Sequence, residues 1–462
     1  MAQPDGLPFE ILSNIFRLFV EDQETQWLRG ELSPPSRLLT VCGICAYWRH
    51  VALGTPQLWA FVLQYFLVRG NLSATNLMQR AIERTAPMLF KFYLHQVMKY
   101  PERLPELVEV LGDPCNAARC TEIHCPFETM DGLRAMQHAF AAPFDALEKA
   151  TIKSSWSKPG DFWEGPSLHF FQNAPLLRCV SLEWRDASNS LTPPIRLVLP
   201  WGQLTDLSLH IESPHVCHEI LARCTMLTKA WIYTENWPQD RVDADSSPSI
   251  DAISLPFLET FTLLICLSVN SEHPADLRPW LTPLNSPALL NFCISILVHS
   301  NEPTGTNRLG IKHAPALHDF LDRTPTITNF TISGGDFSFT PRELVDLLLH
   351  MPALNYLKVR GYFDGNILLD ALRFVPGQPV VAPLLTFLEW CLPLESFNEA
   401  RLLAFILSRW WPDAEPRAGV ARLAGTYFIT DSSHAFDEVS DDFEKEMERI
   451  GKEGFDWMFG VF

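Results

Sequence analysis

The sequence predicts an α/β fold in which short strands alternate with helices along most of the chain. Three observations lead to this prediction. The chain has 462 residues, of which 47% are hydrophobic and 19% charged, so it can bury a large core. A short apolar pattern typical of a strand recurs through the chain, and segments with helical spacing separate its copies. The length corresponds to roughly two to four domain equivalents.

The recurring pattern is an apolar residue, two further residues, an apolar residue, one residue and a last apolar residue. Eleven copies are found, seven of them with a proline two residues ahead, at spacings from 23 residues (Leu204 to Leu227) to 38 residues (Leu289 to Ile327). The last two apolar positions are two residues apart, so both lie on one face of a strand, and we expect the first to turn inward with them. The copies begin at Leu89, Cys120, Leu147, Leu177, Leu204, Leu227, Leu258, Leu289, Ile327, Leu354 and Leu385.

Several segments between these copies have the three- and four-residue spacing of an amphipathic helix. Some begin with Pro or Asn and carry an acidic residue in the first turn, as helix starts do. The spacing predicts helices over 215–224, 314–324, 341–351 and 398–411. Strands and helices that alternate about every thirty residues form parallel strands on one side and helices on the other. Each unit leaves an apolar face that only the neighbouring unit can bury. A solenoid is therefore predicted, with a single globular α/β domain as the alternative.

The pattern resembles leucine-rich repeats, specifically the longer, irregular kind with a full helix in each unit. The resemblance covers about residues 84–430, or about eleven units, although the asparagine or cysteine that normally follows the strand is not consistently present. It implies a curved solenoid of alternating strands and helices. The segment 431–462 is expected to cap this array with a helix whose apolar stripe contains Phe436, Val439, Phe443, Met447 and Ile450.

The N-terminal residues carry a second pattern. The stretch "LPFEILSNIFRLF", with an apolar helical face, is followed by "SRLLTVCGICAYWRHVALGTPQLW". Together these stretches resemble the F-box, most closely the form found in large fungal families, and Ile44 stands where Val is commoner. The residues that match its start, core and end are Leu7, Pro8, Glu10, Ile11, Leu12, Cys45, Trp48, Arg49, Ala52, Thr55, Pro56, Leu58 and Trp59.

This resemblance implies a three-helix module over residues 1–62, joined to the repeats by a helical connector over 63–83. In F-box proteins the module binds a small Skp-family adaptor, which links it to a cullin–RING ubiquitin ligase. A domain this small buries little of its own chain, and a helix with surplus apolar surface is suited to docking on a partner. Trp48 is expected to pack within the module. The implied adaptor contacts are Leu7, Pro8, Ile11, Leu12, Ile15 and Phe16. The alternative is that this face folds back onto the first repeats.

In leucine-rich repeats the outward strand residues form a continuous concave surface, and aromatic and Arg side chains are common at interface hot spots. As candidate contacts for a target protein, the register nominates Lys229, Trp231, Tyr233, Tyr356, Lys358 and Arg360. Other outward positions are Lys91, Tyr93, His95, Lys149 and Lys153, with smaller polar groups at Asn291, Ser295, Asn329 and Thr331. Exposed polar strand residues need no ligand to explain them, so a purely structural role is the alternative.

The 11 cysteines are odd in number and scattered, a usage typical of reduced thiols in an intracellular protein. The stretch "CGIC" has redox-pair spacing but lies inside the F-box-like helices, with no strand before it. Cys115, Cys120, His124 and Cys125 have the donor types of a zinc site. However, the strand register directs Cys120 and Cys125 inward and His124 to the opposite face. The sequence therefore predicts buried free thiols and neither a metal nor a cofactor.

The formal charge of −18 argues against a broad nucleic-acid surface, because phosphate binding needs clustered Lys and Arg. We find no signal-peptide pattern, no membrane span, and no motif for hydrolysis, phosphate binding or dinucleotide binding. The acidic stretch near Asp243 lacks the glycine and glutamate of a calcium loop. We expect a cytoplasmic or nuclear, non-enzymatic ubiquitin-ligase adaptor with an unknown protein substrate. The alternatives are a leucine-rich-repeat scaffold unrelated to ubiquitination and an enzyme that uses the cysteines.

Overall fold

A computed structural model divides the chain into two compact units, Met1–Leu204 and Thr205–Phe462. Both are mixed α/β units with parallel strands and helices, which confirms the predicted fold class at this level. The residues that the structure describes are 7–28, 36–60, 75–93, 104–127, 130–156, 168–186, 197–210, 214–235, 252–268, 275–299, 311–312, 314–334, 340–361, 364–391, 398–411, 419–430 and 440–461.

Three helices begin the first unit: α1 (Phe9–Leu28), α2 (Ser36–Ile44) and α3 (Ala46–Leu53). Pro8 immediately precedes α1, a position where the missing N–H costs no hydrogen bond. Between α2 and α3, the sulfur of Cys45 caps α3 by accepting a hydrogen bond from the backbone N–H of Trp48 at 3.3 Å. The turn between these two helices is therefore held by the cysteine itself.

Residues 56–60 are also helical, and the next described helix, Thr75–Arg84, overlaps the predicted connector and leads to the first strand. The guanidinium of Arg84 lies 4.3 Å from the centroid of the Trp59 ring. The indole N–H of Trp59 donates to the carbonyl of Ala52 at 3.0 Å. The helical stretch at residues 56–60 is thus packed against the helix Thr75–Arg84. The boundaries at residues 62, 83 and 430 stay predictions.

Apart from two two-residue strands, the described part of the first unit contains four parallel strands that pair in sequence order. They are Phe90–Tyr93, Cys120–Phe127, Lys149–Trp156 and Cys179–Asp186. The helices among them are Leu104–Gly112, Pro114–Ala117 and Met130–Phe140, and a short 3-10 helix forms at Trp201–Gln203.

Apart from four two-residue strands, the described part of the second unit contains nine parallel strands, again paired in sequence order. They are Asp206–His210, Lys229–Glu235, Thr260–Ser268, Asn291–His299, Asn329–Gly334, Tyr356–Arg360, Phe387–Cys391, Gly425–Thr430 and Asp456–Val461. Its helices are Pro214–Leu221, Arg278–Leu281, Ala314–Asp322, Pro341–Leu349, Gly365–Leu372, Glu399–Arg409 and Asp441–Lys452. The four predicted helices are confirmed.

In six of the seven copies that carry it, the repeated proline stands in a tight turn just before the strand. In these turns the N–H of the first inward residue donates to the carbonyl three residues earlier, as Leu258 does to Leu255 around Pro256. Proline is favoured at the second position of such a turn because its φ is already fixed. The same bond closes turns that contain Pro175, Pro287, Pro325, Pro352 and Pro383.

The predicted inward register is confirmed in ten of the eleven copies, where all three pattern residues are buried. In the first copy the prediction is wrong for Leu89 and right for Phe92, and Leu94 lies outside the described residues. Leu89 is 57% exposed, whereas Phe90 and Phe92 are buried and fill the core side of their strand. The local sequence is apolar at both Leu89 and Phe90, so alternation alone allows either choice, and the larger aromatic pair occupies the interior.

Two other expectations need correction. Some returning segments form two-residue strands instead of helices, and these pair in parallel as Leu168–His169 with Leu197–Val198, Ile253–Ser254 with Leu284–Asn285, and Ala275–Asp276 with Ile311–Lys312. In the C-terminal segment, Phe443, Met447 and Ile450 are buried on the helix as predicted, while Phe436 and Val439 lie outside the described residues. That helix is not the last element, because the strand Asp456–Val461 follows it and extends the sheet.

Three arginines each link the helix beside them to a helix earlier in the chain. They are Arg119, Arg323 and Arg409, and each stands at or just after the end of its helix. Each donates to backbone carbonyls in the last turn or at the end of a helix earlier in the chain, where a cation also complements the helix dipole. The acceptors are Ile82 for Arg119 (3.0 Å), Leu281 and Thr282 for Arg323 (3.0 Å each), and Leu372 for Arg409 (2.7 Å).

Candidate protein-binding surfaces

One face of α1 is buried in the interior formed by α1, α2 and α3. Leu12, Phe16 and Val20 are buried, and the rings of Phe16 and Trp48 lie 4.9 Å apart between centroids. The predicted internal packing of Trp48 is confirmed. The expected adaptor contacts at Leu12 and Phe16 need correction, because side chains buried against α1's own neighbours cannot touch a partner directly.

The opposite side of the same segment carries exposed apolar residues, which we call the α1 stripe: Leu7, Ile11, Ile15, Leu18 and Phe19. These side chains are between 40% and 62% exposed and follow one another at helical spacing. Leu39 and Ile44 on α2 are also exposed, as is Pro8. The hydroxyl of Tyr47 donates to the carbonyl of Leu7 at 2.9 Å, which holds the start of the stripe against α3. Within the described residues, this face is not covered by the first strands.

The "CGIC" cysteines lie at the junction of α2 and α3, where both are partly exposed. Burial raises the pKa of Cys42, although the nearby Arg49 and Arg84 act to lower it. A reactive thiol instead needs a lowered pKa. Cys45 acts as the helix cap described above, a role that the sequence reading missed. The pair therefore has a structural explanation.

The possible zinc donors diverge as the register predicts. Cys120 and Cys125 are fully buried on the core side, and His124 lies on the other side of the same strand. Cys115 is exposed on the short helix Pro114–Ala117. Burial raises the pKa of Cys120 to about 12, so its thiol stays protonated at neutral pH. Across the described part of the chain, no group of three or more His, Cys, Asp or Glu side chains is placed to hold a metal.

On each sheet, the strand side chains opposite the core form what we call the outer face. In the second unit, Trp231 and Tyr233 lie there with nearly parallel rings, 5.9 Å between centroids. The ring of His210 packs edge-on against Tyr233 at 4.1 Å, and Lys229 Nζ lies 3.8 Å from Asp206 Oδ1. Trp231 is 39% exposed. The three nominated residues on this strand are thus brought together as an aromatic and charged group.

The second nominated group, on Tyr356–Arg360, is organised by a carboxylate of the next strand. The Glu389 side chain is only 12% exposed; it accepts a hydrogen bond from the Tyr356 hydroxyl and pairs with Lys358 (Nζ–Oε1 2.6 Å). Burial, followed by this hydrogen bond, raises the pKa of Tyr356. Arg360 is exposed at the end of the strand. All three nominated residues lie on the outer face.

An aromatic row continues this group across three neighbouring strands. The Phe387 ring stacks on Tyr356 at 5.7 Å and contacts the edge of Tyr427 at 4.6 Å. The hydroxyl of Tyr427 donates to Asp456 Oδ2 at 2.8 Å. Sequence reading missed Phe387 and Tyr427, although their outward register beside Tyr356 was the signal that identifies them.

Gly425 makes room for this row. A Cβ at this position would lie 2.6 Å from the backbone oxygen of Asp456 and 2.8 Å from Phe387 Cε2. We expect Gly425→Ala to lower the free energy of unfolding by about 1–3 kcal/mol, because the two flanking strands must separate. Chemical denaturation measures this change. Gly43→Ala is the control, since its Cβ would meet no atom within 4 Å; an equal loss in both variants would contradict the explanation.

The first unit has a comparable group on its outer face. One carboxylate, Glu122, lies between two lysines, 3.0 Å from Lys91 Nζ and 3.2 Å from Lys149 Nζ. On the following strands, Lys153 Nζ pairs with Glu183 at 2.5 Å. The register predicted outward positions for all three lysines, which is confirmed. His95, also nominated, lies outside the described residues. The sequence reading did not single out the two glutamates.

The smaller polar residues of the second unit bond to one another across the strands. Asn329 Nδ2 donates to Asn291 Oδ1 at 2.5 Å, and Ser333 Oγ donates to Ser295 Oγ at 2.7 Å. Asn291 in turn donates to Thr260 Oγ1 at 3.2 Å. These contacts give the outward Asn and Ser residues a structural role between the two aromatic groups.

Among the helices that the structure describes, none is both long and apolar enough to cross a membrane. The chain matches no model of a known protein family. Nor does a search of curated proteins find a sequence similar to it.

Proposed function

We propose that this chain is the substrate-recognition subunit of a Skp–cullin–F-box type ubiquitin ligase. In this proposal α1, α2 and α3 form an F-box-like module that binds a Skp-family adaptor. The strand and helix units form a leucine-rich-repeat-like solenoid that binds the target protein. The observation that carries the proposal is the exposed α1 stripe, together with its F-box-like sequence.

The α1 stripe has the form of a helix that docks into a partner's groove. Its apolar side chains recur every three or four residues, which is the spacing of the anchors in helix-in-groove recognition. The inner side of α1 is already filled by Leu12, Phe16 and Val20, so the module does not need the stripe for its own core. Contiguous exposed apolar surface of this kind marks interaction sites in folded proteins.

The outer faces support the second half of the proposal. They carry aromatic and charged groups on parallel strands, and aromatic and Arg residues are the ones that dominate binding energy at interfaces. The proposed contribution of this chain to ubiquitin transfer is proximity: it holds a lysine of the target near the charged conjugating enzyme. No catalytic group is required of the chain itself.

Adaptor binding tests the proposal. We expect Leu7→Ala combined with Ile11→Ala to weaken binding to a purified Skp-family adaptor roughly 10- to 100-fold, because two apolar anchors are lost. Isothermal titration calorimetry measures the affinity. The control is Ile367→Ala with Leu407→Ala, which removes exposed apolar side chains from helices of the second unit. Failure of the intact chain to bind the adaptor, or equal binding by the stripe variant, would overturn the proposal.

The alternative function is a leucine-rich-repeat scaffold without a link to ubiquitination. It is favoured by the aromatic groups at Trp231–Tyr233 and at Tyr356, which do not depend on α1. This alternative replaces the first if the intact chain captures a target through these residues while no Skp-family adaptor binds.

A further inference from the structure

The lysines on the outer face of the first unit stand above the carboxylates that pair with them. The side chains of Lys91 and Lys149 are 55% and 53% exposed, whereas that of Glu122, which both contact, is 13% exposed. The same arrangement recurs at Lys153 (40%) and Glu183 (22%). A molecule that approaches this face therefore meets ammonium groups before it meets carboxylates.

The charge balance on this face differs from that of the whole chain. Three lysines face two glutamates among the outward side chains described on these four strands, whereas the full chain carries −18. Burial acts to raise the pKa of Glu122, but hydrogen bonds from Lys91 and Lys149 outweigh it and lower the pKa. The hydrogen bond to Glu122 raises the pKa of Lys91. Lys91 and Glu122 therefore both hold their charge at neutral pH, and the described outward side chains of this face include one more lysine than glutamate.

The spacing of the ammonium groups suits an extended polypeptide. Lys91 and Lys149 lie two strands apart, but both ammonium groups contact Glu122, so they stand closer together than the strand spacing of roughly 10 Å. Lys149 and Lys153 are four residues apart on one strand, or roughly 13 Å. Between them, Thr151 and Ser181 pair across adjacent strands, and Thr151 is itself buried. Carboxylates at every second residue of an extended segment, about 7 Å apart, can reach two or three of these positions.

We propose that the outer face of the first unit, at Lys91, Lys149 and Lys153, binds an acidic segment of the target protein through its Asp and Glu carboxylates. This inference rests on the proposed function, since it names the class of target that the array recognises. Glu122 accepts from both lysines and offsets part of their charge, so its removal should favour an acidic ligand. Nucleic acid is disfavoured, because three lysines on a strongly acidic chain give little phosphate neutralisation.

The test uses the full-length chain and a fluorescein-labelled 12-residue peptide of alternating Glu and Ser, with binding followed by fluorescence anisotropy. A peptide with Gln in place of Glu is the reference. We expect the Glu peptide to bind, and its affinity to fall as ionic strength rises. Lys91→Gln with Lys149→Gln is expected to weaken binding about tenfold, as two solvent-exposed charge pairs are lost. Lys445→Gln with Lys452→Gln, both exposed on the helix Asp441–Lys452, is the control and should leave the affinity unchanged.

A change that removes a recessed carboxylate separates binding from a merely structural role. Glu122→Gln makes the face more positive, so we expect it to tighten binding of the Glu peptide about threefold. A purely structural ion pair would not produce this gain. Should Glu122→Gln fail to fold, Glu183→Gln makes the same charge change beside Lys153.

Three results would overturn the inference: equal binding of the Glu and Gln peptides, an unchanged affinity in the double lysine variant, or equally tight binding of a single-stranded DNA oligonucleotide of matched charge. None of these readouts involves the α1 stripe. Loss of adaptor binding with peptide binding retained would therefore refute the proposed ligase function alone, and the reverse result would refute only this inference.

Discussion

We expect Arg409→Ala to lower the free energy of unfolding of the second unit by about 3 kcal/mol, because three backbone acceptors lose their donor at once. The buried guanidinium donates to the carbonyls of Leu372 (2.7 Å), Ala382 (2.9 Å) and Val381 (2.6 Å). Burial lowers the pKa of Arg409 to about 10, so the side chain remains charged at neutral pH. Its three acceptors lie on the end of one helix and on the segment that leads into the next strand.

Urea denaturation gives the stability change, and hydrogen exchange measured by mass spectrometry locates it. Protection should fall first in the helix Gly365–Leu372 and in the segment before Phe387. The control is Arg401→Ala on the same helix, whose exposed pair with Asp370 (2.5 Å) is worth about 1 kcal/mol or less. Equal losses in the two variants would show that the buried position of Arg409 has no special importance.

The second large effect is expected at Phe16. Phe16→Ala removes a fully buried ring that packs on Trp48, which should destabilise the α1–α3 region by about 3–5 kcal/mol. Hydrogen exchange in α1, α2 and α3 reports this loss directly. Ile11→Ala, on the exposed side of the same helix, should change stability by no more than about 0.5 kcal/mol.

The difference in burial between Phe16 and Ile11 decides which variant can test adaptor binding. A Phe16 variant would lose partner binding through unfolding, whereas an Ile11 variant tests the surface alone. If Phe16→Ala left the protection of α1 unchanged, the division of this helix into a buried and an exposed side would be wrong.

The sequence pattern predicted the inward strand positions well. The residue just before each strand and two residues within it are buried, so all three must be apolar at a fixed spacing. Leu258, Phe261 and Leu263 are typical: all three are buried, and the proline before them stands in the turn. The prediction was wrong where two consecutive residues, Leu89 and Phe90, are both apolar, because the pattern did not decide which of them is buried. It also missed the strand Gly425–Thr430 as a further copy, since buried Thr426 stands where the pattern expects an apolar residue.

The surfaces were harder to predict than the core. The sequence of α1 is apolar on several sides, so spacing alone did not separate buried Phe16 from exposed Ile11. That separation depends on where α2 and α3 pack. The outward lysines and tyrosines were found from the register. Their partners Glu122 and Glu389 were not, because the pairing depends on which residues of adjacent strands lie opposite each other.

The pairing order of the strands has a consequence for how the chain reaches its folded state. In the second unit each of the nine longer strands pairs with the next longer strand along the chain, as Asn329–Gly334 does with Asn291–His299 and Tyr356–Arg360. Partners are separated by short stretches, so closing each intervening loop costs little chain entropy. Ordering can nucleate at any adjacent pair and propagate in both directions, without waiting for distant segments to meet. A chain still emerging from the ribosome can accordingly complete its early strands before the late ones exist.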